Sequence, residues 1–150
     1  MVRPYREADA ARCCAIIRAC LPQLDGLNVA ARAFLEAKLV PERLHTELAS
    51  METMVYEDRG EVLGLAALDG MEAKRLYVYP SAQGRGIARA LFQHVEDLAR
   101  ARGLRVLSGD ASPAAAAFYE KLGFVAEGRS QTLRGEAHFT TVRVFKRLGT

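Results

Sequence analysis

Between the strand-like run Tyr77-Val78-Tyr79-Pro80 and a helical stretch opening at Ile87-Ala88 stand Gln83, Gly84, Arg85 and Gly86. A strand that feeds a glycine-rich turn at the start of a helix exposes backbone N–H groups with no partner inside the helix, and the helix dipole puts partial positive charge behind them. The chemistry this suits is anion binding, in particular of a pyrophosphate. Gly84 and Gly86 remove the Cβ atoms that would hold a ligand away, and Arg85 and Arg89 add full positive charges. Glycines at a strand-helix junction also serve as plain turn formers, so the segment alone leaves both uses open. It lacks the Gly-Lys-Ser/Thr ending of a Walker A loop and the three spaced glycines of a dinucleotide fingerprint.

The other reactive side chains form no comparable pattern. Cys13, Cys14 and Cys20 crowd into one short segment. Their odd number gives no disulfide framework and fits a reducing compartment, and their spacing matches no metal-ligand set. Cys13 and Cys14, which could suggest a nucleophile or metal site, have no histidine nearby in sequence and read as small buried helix residues. His45, His94 and His138 are far apart, with His94 expected as a packed or rim residue near the apolar face of its helix.

These residues must be held by a fold, and the chain is long enough for one. Its 150 residues are half hydrophobic and 26% charged, which suits a single soluble globular domain and excludes a disordered or fibrous class. No apolar run approaches the roughly 20 residues of a membrane span. Arg3, Arg6, Glu7 and Asp9 interrupt the place of a signal peptide, so the expectation is a cytoplasmic protein without a membrane partner. The net charge of +3 is spread along the chain, which reads as solvated surface and not as a nucleic-acid footprint.

Hydrophobic periodicity and turn residues give the element order. Val2 to Tyr5 reads as a strand, Ala8 to Cys20 as a helix, and Val29 to Leu39 as a second helix ending before Pro41. Three strands follow around Met54 to Tyr56, Val62 to Leu68 and Glu72 to Tyr79, with tight turns at Asp58-Arg59-Gly60 and Asp69-Gly70. A helix with Ile87, Leu91, Val95 and Leu98 on one face ends at Gly103, and Arg105 to Ser108 makes a strand parallel to the preceding one by a right-handed crossover. Ser112 and Pro113 start a last helix that Gly123 ends, and strands after Phe124 and around Phe139 to Phe145 complete the sheet.

Two segments carry a family resemblance. Gln83-Gly84-Arg85-Gly86-Ile87-Ala88 resembles the acetyl-CoA signature Q/R-x-x-G-x-G/A of GNAT acetyltransferases. Ser112-Pro113-Ala114-Ala115-Ala116-Ala117-Phe118-Tyr119-Glu120-Lys121-Leu122-Gly123-Phe124 resembles the family's N-x-x-A-x-x-F-Y-E-K-x-G-F segment, with Ser112 in place of the commoner Asn. The resemblance implies an α/β GNAT-type domain with a mixed, mostly antiparallel sheet of about six to seven strands and about four helices on its two faces. It implies an N-acetyltransferase that passes the acetyl group of acetyl-CoA, as co-substrate and without metal, to a primary amine of a small molecule or peptide. A longer acyl donor is the variant within that chemistry, and a homodimer is one form that such proteins take. A catalytically silent acyl-CoA-binding or regulatory module is the alternative.

By the same resemblance, the strand before the loop splays at a bulge, so that Leu76, Tyr77 and Val78 bind the pantetheine arm and the thioester carbonyl through their backbone, while Gln83, Gly84, Arg85, Gly86, Ile87, Ala88, Arg89 and Ser112 complete the coenzyme site. Tyr119 is the general acid for the departing sulfur, the alternative being an aromatic packed on the sheet. Glu72, eleven positions before Gln83, matches a strand glutamate that takes the amine's proton through water. Strict alternation puts it on one face with Lys74, Leu76 and Val78, and a solvated strand-edge carboxylate is the alternative. His138, close to Arg134 and Glu136, is a candidate for the border of the amine pocket, and Asp25, Glu36 and Glu42 for attracting a cationic amine, although each reads more simply as surface charge.

Overall fold

The computed structural model describes residues 1–149. Strand β1 (Val2–Pro4) leads to helix α1 (Ala10–Cys20), which buries Cys13, Cys14, Ile16, Ile17 and Cys20 along one side. Helix α2 (Val29–Lys38) begins at Asn28, whose side chain accepts the Ala31 N–H. A further helix, α3 (Pro41–Ala49), lies where the sequence pattern shows none. Its buried residues are Leu44 and Leu48, too few for a helical period to stand out, and Pro41 opens the helix in a first turn that needs no N–H.

The remaining elements are β2 (Glu52–Asp58), β3 (Glu61–Asp69), β4 (Glu72–Val78), α4 (Ile87–Ala101), β5 (Val106–Ala111), α5 (Pro113–Lys121), β6 (Val125–Arg134) and β7 (Ala137–Arg147). They form one seven-stranded sheet in the order β1-β2-β3-β4-β5-β7-β6. All neighbours are antiparallel except β4 and β5, as the crossover through α4 requires. The expected mixed sheet and two-sided helix cover are therefore present, with α3 as the addition.

Two cores hold the layers together. On one face α4 and α5 press Leu91, Phe92, Val95 and Tyr119 against Leu68, Leu107, Val144 and Phe124. On the other, Ile16, Ile17, Leu44 and Leu48 of α1 and α3 cover Val55 and Leu65. Burying such side chains contributes roughly 1.5–3 kcal/mol each, which makes the sheet a stiff platform for whatever its edges carry. Among the described residues no helix is long and apolar enough to cross a membrane.

Candidate active site

The site begins where the sheet fails to close. Strands β4 and β5 pair at one position only, Glu72 with Ser108, and then part. Just beyond, the β3–β4 register shifts, so that Arg75 and Leu76 together stand opposite Ala66. This bulge is made by Arg75, which has the left-handed φ of 57°. An extra residue inverts the alternation of the strand. Ala73 faces the α4/α5 core before the bulge, and Leu76 and Val78 face it afterwards. Glu72 and Lys74 consequently project from the opposite face to Leu76 and Val78, which corrects the expectation from strict alternation.

A cavity of about 620 Å³ fills the gap between the parting strands, the start of α4 and the side of α5. Leu76, Tyr77, Val78, Gln83, Gly84, Gly86, Ile87, Ala88, Arg89, Ser112 and Tyr119, all expected at a coenzyme site, line it together. Gly86 caps α4 with φ 80°, and Gly84 has φ 83°. A Cβ on either would meet no protein atom within 4 Å, so both glycines are required by backbone conformation, beside open space. The N–H groups of Ile87, Ala88 and Arg89 head this helix, and the Gly86 carbonyl has already turned to accept from Ala90.

The cavity's other wall is an unpaired strand edge. Tyr79 N–H donates to Leu63 on β3, so Val78, one residue earlier, directs its peptide groups to the side from which β5 has withdrawn. The Val78 carbonyl is held there by Gln83 Nε2 at 3.0 Å and by the Cys20 thiol at 3.2 Å. Gln83 thus fixes the turn through its side chain. Arg85 leans away to Asp58, 3.5 Å distant, and lies outside the cavity wall.

Tyr119 is buried in an aromatic cluster, with its ring edge-on to Phe92 at 6.1 Å and Phe124 at 5.4 Å. Burial pushes its phenol well above the ordinary value, reinforced by nearby Tyr77. The hydroxyl is therefore protonated across the neutral range. Ser112 caps α5 by accepting the Ala115 N–H at 3.3 Å, and Asp25 accepts the Ala114 N–H at 2.8 Å. Asp25 is thus a helix cap joining the α1–α2 loop to α5, and not a free surface charge.

Glu72 is absent from the cavity wall. Its carboxylate lies 3.5 Å from Arg143 and 3.8 Å from Lys74. His138 lies outside the cavity too, its backbone tied to Asn28. His94 is exposed and not packed. Burial drives the Cys13 thiol up to about 12, which makes it an inert core residue. Among the described residues no three His, Cys, Asp or Glu side chains gather as metal ligands. Cys20 and Phe118 also line the cavity and were not expected there from sequence, where Cys20 stood only among the three cysteines and Phe118 only as a position of the second signature.

The model of the acetyltransferase (GNAT) domain matches residues 20–144. Over 74 residues the chain is 34% identical to the peptidyl-lysine N-acetyltransferase YjaB of Salmonella typhimurium, a match covering 49% of this chain and 50% of that protein. The chain spans about half the length of the curated relatives it matches. A Rhodopseudomonas palustris structure described as a GCN5-related N-acetyltransferase and class-II aminotransferase superimposes with a TM-score of 0.89 at 31% identity, covering 98% of this chain and 94% of that one. The fold is shared also with the acetyltransferase yncA of Salmonella typhimurium, solved with acetyl-CoA, at a TM-score of 0.68 and 22% identity over 100% and 94% of the two chains. With a matched domain running through both signatures, the parted strands and the last helix, the chain belongs to the GNAT acetyltransferase family.

Proposed function

We propose that this chain transfers the acetyl group of acetyl-CoA directly to a primary amine of a small molecule or peptide. The observation that carries the reading is the gap between β4 and β5 opening onto a left-handed glycine turn at the head of α4, with Tyr119 on its wall. A diphosphate with a long thiol-bearing arm fits such a site, because free amides at the helix end meet the phosphates and the open strand edge meets the arm's amides. Acetyl-CoA supplies an acetyl group activated as a thioester.

The chain's own groups then have defined tasks. Ile87, Ala88 and Arg89 N–H groups hold the diphosphate, and Gly84 and Gly86 let it approach. Gln83 and Ser112 shape the turn and the α5 end, while Arg85 reaches the phosphates on leaving Asp58. The peptide groups of Leu76 and Val78 bind the arm, with Tyr77, paired to Leu65 of β3, between them, and the Val78 N–H polarises the carbonyl. Tyr119 donates a hydrogen bond to the departing sulfur. A thiol ionises near 8.5, well below this phenol, so Tyr119 stabilises the sulfur's charge and yields its proton only as another replaces it. Glu72, on the far face of β4, takes up the amine's proton through water.

Titration calorimetry with acetyl-CoA, followed by thiol release on a panel of amines, tests the whole reading. Binding followed by amine-dependent release is the expected result. Binding without release from any amine identifies a silent module, and no binding removes the reading.

A further inference from the structure

A second cavity, of about 200 Å³, lies on the opposite face of β4 among α1, α2 and α3. It is smaller than the roughly 300–1,000 Å³ of pockets for drug-sized ligands and therefore admits one small molecule. Ile17, Leu35 and Leu44 give it apolar walls, and Tyr77 lines both this cavity and the larger one. A molecule held here thus lies against a residue that also borders the proposed site of acetyl transfer.

The charged lining is unbalanced. Lys38, Arg43 and Arg75 face a single carboxylate, Glu47. Arg75 Nη2 meets Glu47 Oε1 at 2.9 Å, whereas Lys38 and Arg43 have no carboxylate partner among the described residues. Lys38 is held over the Phe34 ring, its ammonium 4.0 Å from the centroid. A left-handed conformation is unfavourable for a non-glycine residue, yet Arg75 adopts it with φ 57°, and its side chain lines this cavity. A plain alkylammonium would meet excess positive charge in a confined space, where like charges are unfavourable. An amine that also carries a carboxylate cancels the excess.

Resting on the acetyltransferase reading above, we propose that the smaller cavity is the acceptor site and selects a free α-amino acid with an apolar side chain. Its carboxylate lies among Arg75, Arg43 and Lys38, its side chain among the leucines, and its amino group toward Glu47 and Tyr77. The ammonium gives one proton to solvent by way of a carboxylate, the neutral nitrogen forms a bond to the acetyl carbon as the carbon–sulfur bond breaks, and the nitrogen's second proton replaces the one that Tyr119 yields to the sulfur, which departs as a thiol.

The test uses the full chain and free L-leucine, L-methionine and L-phenylalanine, each beside its carboxamide, with a lysine peptide blocked at both ends as a third arm. Coenzyme A binding is measured first by calorimetry. At least one free amino acid is expected to exceed its carboxamide in kcat/KM by about 10-fold or more, the worth of one charged hydrogen bond. Lys38→Glu and Arg43→Glu, near the cavity mouth, should each raise KM for that amino acid by roughly 10-fold without altering coenzyme A affinity. The inference fails if coenzyme A binds but the carboxamides or the blocked peptide are acetylated as well as the free acids. It fails equally if no free amino acid reacts, or if both variants keep the parental KM. Absence of coenzyme A binding sinks instead the reading on which it rests.

Discussion

The two cavities lie back to back across β4, and they are built from different atoms. The larger is made of backbone: two glycines in left-handed conformation, the first turn of α4 and the open edge of a strand. The smaller is made of side-chain ends brought by three helices and one bulged strand. Recognition through backbone constrains sequence tightly, because only glycine adopts those angles freely and the turn must sit at one strand-helix junction. Recognition through side chains constrains position in space, and residues 17, 38, 43, 47 and 75 meet with no fixed spacing along the chain.

The sharpest way to break the contrast is on the backbone side. Gly86→Asp places a carboxylate beside the proposed phosphates; like charges so close cost several kcal/mol, so acetyl-CoA affinity should fall by roughly 10³-fold. Asp tolerates left-handed angles better than most residues, so melting temperature should change little. Unchanged affinity in the folded variant, measured by calorimetry, would remove the phosphate site.

Tyr119→Phe is next in size. It keeps the ring in its aromatic cluster and should cut kcat by about 10²-fold, leaving coenzyme affinity near parental. Because burial raises the phenol, the parental rate should show no loss from Tyr119 ionisation up to and beyond pH 10, its ordinary value. A variant of normal kcat would make Tyr119 an aromatic packed on the sheet.

Glu72→Gln should act less, lowering turnover by under about 10-fold and most at low pH, where free amine is scarce. A pH–rate profile matching the parent's would leave Glu72 as the partner of Arg143 and Lys74. The smallest effect belongs to Asp25→Ala. Loss of that cap on α5 should lower stability by about 1 kcal/mol in denaturant unfolding, with coenzyme affinity unaltered if the cap serves only the helix.

Much of this was legible in the sequence, and the failures have physical causes. The order of strands and helices followed from periodicity and turn residues, and the residues that meet around the larger cavity were marked by two glycines and a proline-started helix. Helix α3 was missed because two buried leucines leave no readable stripe. The face of Glu72 was misjudged because alternation was counted straight along β4, through the bulge that the resemblance itself implies and that Arg75 forms. The smaller cavity was unreadable for a deeper reason, since α3, which carries Arg43, Leu44 and Glu47, is the element the pattern concealed.

The single pairing of Glu72 with Ser108 has a mechanical consequence. The sheet is two leaves, β1 to β4 and β5 to β7, paired at one point and otherwise joined by side chains, among them Arg143 with Glu72 and Phe92 of α4 with Tyr119 of α5. Cooperative units of a protein open separately where few bonds cross between them. Amide exchange should therefore be fastest along the seam and slow within each leaf. A ligand spanning it would act as a rivet, protecting amides on both leaves at once and raising the melting temperature in step with its occupancy.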